Sequence, residues 1–180
     1  MRIVKKYYLL VDGYNIINFW DELRSISIIS LDEARQSLVD MMAELGSITG
    51  ETIIVVFDSY LQKNPTRQII ETKGIEVVFT KEYETADNYI EMLVSNSKKH
   101  EIFKVASSDS MIQSMIFGKG ANRVSANELK YYYEYNKELA IKQRKLKEKK
   151  KDTNIVSLNN RSLDALDALE ELLNGGKSEK

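Results

Sequence analysis

Cysteine is absent from the 180 residues, and histidine occurs once, at His100 in the polar stretch SKKHE. Without cysteine there are no disulfides, thiolate metal sites or cysteine nucleophiles, and the composition suits a reducing, cytoplasmic setting. With one histidine, a zinc site of the usual His/Cys type lacks its ligands, and a Ser-His-Asp triad would rest on a single loop residue. No apolar run approaches the roughly 18 residues that a membrane span requires, so a soluble chain with no membrane partner is expected. The opening MRIVKKYYLLV imitates a signal peptide, but its apolar run is short and ends at Asp12 without a small-residue cleavage site; it reads as a first strand. Two nucleotide-binding signatures are also missing: G-x-G-x-x-G after that strand, and G-x-x-x-x-G-K-[ST] anywhere. Any chemistry falls to oxygen ligands.

What is present is a set of apolar runs that end on acids. YYLLVDGYNIIN (7–18) reaches Asp12, TIIVVFDSY (52–60) reaches Asp58, and IFKVASSDSMIQSMIF (102–117) runs into Asp109 before turning helical up to Gly118. GIEVVF (74–79) leads within a few residues to Asp87, in the first turn of a helix that Thr85 can cap. Helical segments lie between the strands. Ser30 and Glu33 form a capping box for a helix that Gly46 would stop, and Ser125 and Glu128 form another for the long helix beginning at Ala126. The expected order is β-α-β-(loop)-β-α-β-α. Near-continuous apolar strands alternating with helices point to an α/β fold whose mainly parallel sheet is covered on both faces. In such sheets the carboxyl ends of the strands line the ligand crevice, so Asp12, Asp58, Asp87 and Asp109 are expected to converge.

Gathered carboxylates repel one another, and the cluster either raises pKa values or recruits a cation. With oxygen donors alone, the hard ions Mg²⁺ and Mn²⁺ are the natural choice, and the expected chemistry is metal-assisted phosphodiester hydrolysis. Glu91, one turn after Asp87, either adds to this set or is a solvated glutamate. Asn15 either holds Asp12 or a phosphate oxygen, or makes a local Asx turn. A phospho-acceptor receiver fold also gathers strand-end aspartates, but the sequence offers no obvious strand-end lysine for it.

The residues VDGYNII, VVFDS, EVVFTKEYETADNYIE and ASSD together resemble the YacP-like branch of the NYN domains, relatives of the PIN-domain nucleases, over about residues 5–135. The resemblance implies a PIN-like three-layer α/β sandwich, bound Mg²⁺ or Mn²⁺, and RNA cleavage, with the best-described members acting as ribosome-associated mRNA endonucleases. Carried onto matching positions, it makes Asp12, Asp87 and Asp109 the metal and catalytic core. Asp58 stands beside them, Asn15 joins the catalytic set, and Thr85, Ser108 and Glu91 support it. Position 83 is Tyr where a small residue such as Gly is expected.

Charge is unevenly spread. Residues 130–151 hold nine Lys/Arg against Glu134, Glu138 and Glu148, a balance of +6; subtracting this from the net −1 leaves −7 for the rest. The reading is a nuclease domain at 1–136, a basic helical arm at 137–151, and a linker with a short amphipathic helix at 152–180. That last helix carries Leu163, Leu166, Leu169 and Leu173 on one stripe. Lys142, Arg144 and Lys145 in the arm, with Lys119 and Arg123 in FGKGANR, are the candidate RNA contacts. Of Tyr131, Tyr132, Tyr133 and Tyr135, most are expected to pack the long helix on the sheet rather than stack bases. The alternative to an enzyme is a binding module that docks on ribosomal or messenger RNA and keeps a vestigial acidic site.

Overall fold

A computed structural model describes residues 4–59, 65–108 and 121–148. Its elements are β1 (Lys6–Asp12), α1 (Gly13–Phe19), α2 (Asp21–Ile29), α3 (Leu31–Thr49), β2 (Thr52–Phe57), β3 (Gln68–Thr72), β4 (Ile75–Phe79), α4 (Ala86–Ser95), β5 (Glu101–Ala106) and β6 (Asn122–Val124). A further helix, α5, covers 126–148. The six strands lie in the order β3-β4-β2-β1-β5-β6, and all neighbours are parallel except the β3–β4 hairpin.

The apolar runs are continuous because successive side chains feed two different cores. Leu9 and Val11 of β1, Ile53, Val55 and Phe57 of β2, and Val77 of β4 join one core with Ile16, Ile17, Leu38, Met42 and Leu129. Leu10, Ile54, Val56 and Val78, the alternate positions, pack with Tyr89, Ile90 and Val94 of α4 on the opposite face. The result is a mixed α/β architecture with a mostly parallel sheet between helical layers.

Three local expectations change. Gly46 does not stop α3, which continues to Thr49 and ends where Gly50 adopts a left-handed φ of 73°. Inside the helix, Gly46 instead sits close to Ile53. The Ser30 capping box is half made: Ser30 Oγ accepts from the Glu33 amide at 3.2 Å, but the Ser30 amide is already donated to Ile26 O at the end of α2. The stretch expected as loop before β4 contains β3, paired with β4 through a turn at Lys73 and Gly74 (φ 51° and 80°), the left-handed pair that a two-residue hairpin needs. Arg123 lies in β6 opposite Val105.

At the start of α5 the reciprocal box is complete, with Ser125 N donating to Glu128 Oε2 (2.6 Å) and Glu128 N to Ser125 Oγ (3.2 Å). Two of the four tyrosines anchor the helix: Tyr133 donates to Glu44 (2.5 Å) and Tyr132 to Glu51 (3.0 Å). Tyr131 and Tyr135 stay exposed and stack on each other with centroids 6.0 Å apart. The chain divides into two compact units, Met1–Lys137 and Glu138–Lys180. Among the described residues no helix is long and apolar enough to cross a membrane.

Candidate active site

The cleft opens at the carboxyl ends of the central strands. It encloses about 570 Å³ and is lined by Asp12, Asp58 and Asp87 together with Tyr14, Asn15 and Thr85. Each acid arrives by a different route. Asp12 is the last residue of β1 and the N-cap of α1, where Oδ1 accepts from the Asn15 amide at 3.3 Å. Asp58 directly follows β2. Asp87 sits in the first turn of α4, whose N-cap Thr85 accepts from the Asn88 amide at 3.2 Å. A helix N-terminus favours negative charge, so both short caps help hold an acid that the neighbouring acids repel.

Two serines after β5 support the cleft residues from behind by hydrogen bonds. Ser107, buried, donates its hydroxyl to Asp12 Oδ2 at 3.4 Å, and the Ser108 amide donates to Asn15 Oδ1 at 2.8 Å. The Asn15 side chain thus ties the start of α1 to the end of β5, and of the two readings offered for Asn15 the local Asx turn is not made by its side chain; the Asx bond is Asp12's. Ser107 escapes a sequence reading that singles out Ser108. The available signal is position: Ser107 directly follows Ala106, the last residue of β5, at the strand end where the cleft residues gather.

The Asp12 carboxyl is pushed up from 3.8 to about 6. Burial is the main cause; the charges of Asp87 and, less strongly, Asp58 add to it, while the bonds from Asn15 and Ser107 oppose it. Burial and the neighbouring carboxylates both disfavour the charged form here. The donors are all oxygen and the cluster is negative, which fits a hard divalent ion in chemical type. Among the described residues, however, no three His, Cys, Asp or Glu side chains converge closely enough to hold one by themselves. Asp109 and Lys119 lie outside the described residues, as do 149–180 with the proposed linker and leucine stripe. Glu91 follows one turn along α4 and is not among the residues lining the cleft. Arg123 is exposed on β6, Lys142 pairs with Glu138 at 3.0 Å, and Arg144 and Lys145 are exposed on 126–148.

The loop leading to Asp87 is braced from outside. Arg67 clamps Glu84 through Nε and Nη2 (2.6 and 2.5 Å) and lies 4.7 Å over the Tyr89 ring. Immediately before Glu84, Tyr83 is 95% exposed with φ 64°, the conformation that explains why a glycine is expected there.

Comparison with known proteins agrees with this geometry. A model of the YacP-like NYN domain matches residues 9–172. The uncharacterized protein YacP of Bacillus subtilis (strain 168) is 47% identical over 123 residues, 67% of this chain and 71% of the relative. The crystal structure of Rae1 (YacP) from Bacillus subtilis is 37% identical, covers 94% of this chain and 95% of its own, and superposes with a TM-score of 0.67. A mutant form of the same protein superposes at 0.65 with 42% identity, covering 76% of this chain and 80% of its own.

Proposed function

Because this chain belongs to the YacP-like NYN domain family, among the PIN-like nucleases, we propose that it is a divalent-cation-dependent endoribonuclease acting on mRNA in association with the ribosome. The observation that carries the reading is Asp12. An acid at the end of the central strand shares one cleft with Asp87 and Asp58, and its carboxyl is pushed up to about 6, chiefly by burial and then by those charges, which a bound cation would offset. Asp12, Asp58 and Asp87 would hold Mg²⁺ or Mn²⁺, with Asp109 as the expected further ligand. Bound there, such an ion supplies charge for phosphate oxygens and eases the ionisation of a water. The chain's own contribution is positioning. Asn15 and Ser107 fix the Asp12 carboxylate through the bonds described above, and Thr85 and the Arg67–Glu84 clamp fix Asp87. Hydrolysis then adds water across one phosphodiester, breaking a single P–O bond. Tight orientation of the reacting groups accounts for a large part of such a rate.

The test is cleavage of a labelled RNA in Mn²⁺ or Mg²⁺. Asp12→Asn and Asp87→Asn are each expected to lower the rate at least about 100-fold, with circular dichroism unchanged. Full activity in both variants rules the site assignment out; RNA binding without cleavage in any form, the unsubstituted chain included, would instead favour the binding module.

A further inference from the structure

The acid cleft has two unlike sides. Thr85 and Asp87 come with the start of α4, which packs on one face of the sheet, whereas Tyr14, Asn18 and Leu31 come from α1 and the start of α3, on the other. Asp12 and Asp58 lie between them at the strand ends. The α4 side adds an acid; the α1 side adds no charge. The cleft is also larger than an ion site. A fully hydrated Mg²⁺ takes roughly 200 Å³, at about 30 Å³ per water, and what is left of the 570 Å³ has the size of a small ligand pocket.

Residues 14, 15 and 18 share one face of α1 and line the cleft, while Ile16 and Ile17 are buried in the core. The polar groups of that wall are not equally free. Tyr14 accepts at its hydroxyl from Arg35 Nε (2.8 Å) and packs on Phe57, and Asn15 accepts from the Ser108 amide (2.8 Å). Asn18 is exposed, one turn beyond Asn15, and among the described residues its carboxamide has no hydrogen-bond partner. Helix formation does not account for it, since asparagine is a weak helix former and alanine would serve the turn better. A free carboxamide offers donors and an acceptor together. That pairing suits a ribose hydroxyl or the edge of an unpaired base, each of which donates and accepts, and not a phosphate, which accepts alone.

We propose that Asn18 is a specificity-determining contact to the substrate, hydrogen-bonding the uncharged nucleoside part of the nucleotide whose phosphate sits at the acids. The placement of that phosphate rests on the nuclease reading; contact between Asn18 and a nucleoside can be read without any cleavage. The nucleoside takes the α1 side because charge divides the cleft. Phosphate goes with the cation at the acids, and the adjoining sugar and base fill the remaining space against groups that bear no charge.

The experiment titrates adenosine and uridine 5′-monophosphates, which hold no phosphodiester to cut, into full-length protein carrying ¹⁵N-labelled asparagine, with Mg²⁺ present. The Asn18 side-chain NH₂ signal, identified by its loss in Asn18→Ala, is expected to shift saturably with the nucleotides and not with inorganic phosphate. The 2′-deoxy forms separate the two sources of the contact: an unchanged shift assigns it to the base, a diminished one to the ribose hydroxyl. In RNA cleavage, Asn18→Ala is expected to raise KM about 10-fold, the scale of one or two lost hydrogen bonds, with kcat within about 2-fold. Its melting temperature should be unchanged or raised, and Asn18→Gln, which keeps the carboxamide, should recover part of the affinity. The proposal is overturned if neither nucleotide moves the Asn18 signal, if inorganic phosphate moves it equally, or if KM is unchanged in Asn18→Ala. A raised KM that comes with a lowered melting temperature and no recovery in Asn18→Gln overturns it too, because the residue then acts through the fold. Failure of the nuclease reading shows separately, as cleavage that survives Asp12→Asn and Asp87→Asn or is absent from the unsubstituted chain; the nucleotide titration still decides the contact.

Discussion

At the scale of single residues, Asp12 combines two roles that conflict energetically: it caps α1 and it carries charge in a crowded cleft. Its folded pKa of about 6 against 3.8 means the folded state holds this proton more tightly than the unfolded chain. The contribution is therefore fully present below pH 4 and is lost as pH rises through about 6. The loss is on the order of 2 kcal/mol once partial exposure is allowed for. Chemical denaturation of cation-free protein between pH 4 and 7 should show this decline, and Asp12→Asn should flatten it. Mn²⁺ should raise the melting temperature more at pH 7 than at pH 5, because binding must displace the proton; equal increments at both pH values would disconnect Asp12 from the ion. Gly13 beside it is constrained by space rather than by conformation. A Cβ there would meet the buried Phe57 ring at 2.3 Å, so Gly13→Ala should destabilise by about 1–3 kcal/mol, measured by urea denaturation. A neutral result would mean that Phe57 can move aside.

At the scale of elements, the strands that build the cleft are legible in the sequence because they are long, apolar and doubly buried. The β3 strand is not: QIIET is exposed along most of its length, so it shows no burial pattern, and its turn is Lys-Gly rather than the more telling Asn-Gly. The short α1 is hidden for another reason. Asp12-Gly13 reads as a turn, while in fact Asp12 caps a helix that starts at Gly13. The acids Asp12, Asp58 and Asp87 are readable from their places at strand and helix ends, whereas Ser107 and the Arg67–Glu84 clamp depend on contacts between distant segments. That clamp yields an element-scale prediction. Arg67→Ala should remove the bonds that hold Glu84, three residues before Asp87, and expose the face of Tyr89. RNA cleavage is expected to fall about 10-fold while thermal stability changes by no more than about 2 kcal/mol, the scale of a partly exposed ion pair. Comparing rate and melting temperature in one preparation checks it; a loss of stability with an unchanged rate would show that the clamp serves the fold alone.

At the scale of the whole molecule, charge separation sets how RNA can approach. Residues 130–151 carry +6 and the remainder −7, so most of the chain repels a polyanion and only the basic stretch attracts one. An acid cleft without its cation adds to the repulsion. Productive encounter with naked RNA should therefore be weak and poorly selective, and a particle that presents mRNA to the cleft would supply the missing orientation. The expected pattern is selective cutting of translated mRNA against slow, scattered cutting of the same RNA free in solution. Truncation before Lys142 removes Lys142, Arg144 and Lys145, whose proposed phosphate contacts would release counterions and steepen the dependence of binding on salt. Sedimentation with ribosomes across a salt series should then show weaker association and a shallower slope for the truncated chain. Unchanged slopes would remove the arm from the interface. Identical sites and rates on naked and translated RNA would remove the ribosome from the mechanism, because an enzyme positioned by the particle has no means of reproducing its pattern without it.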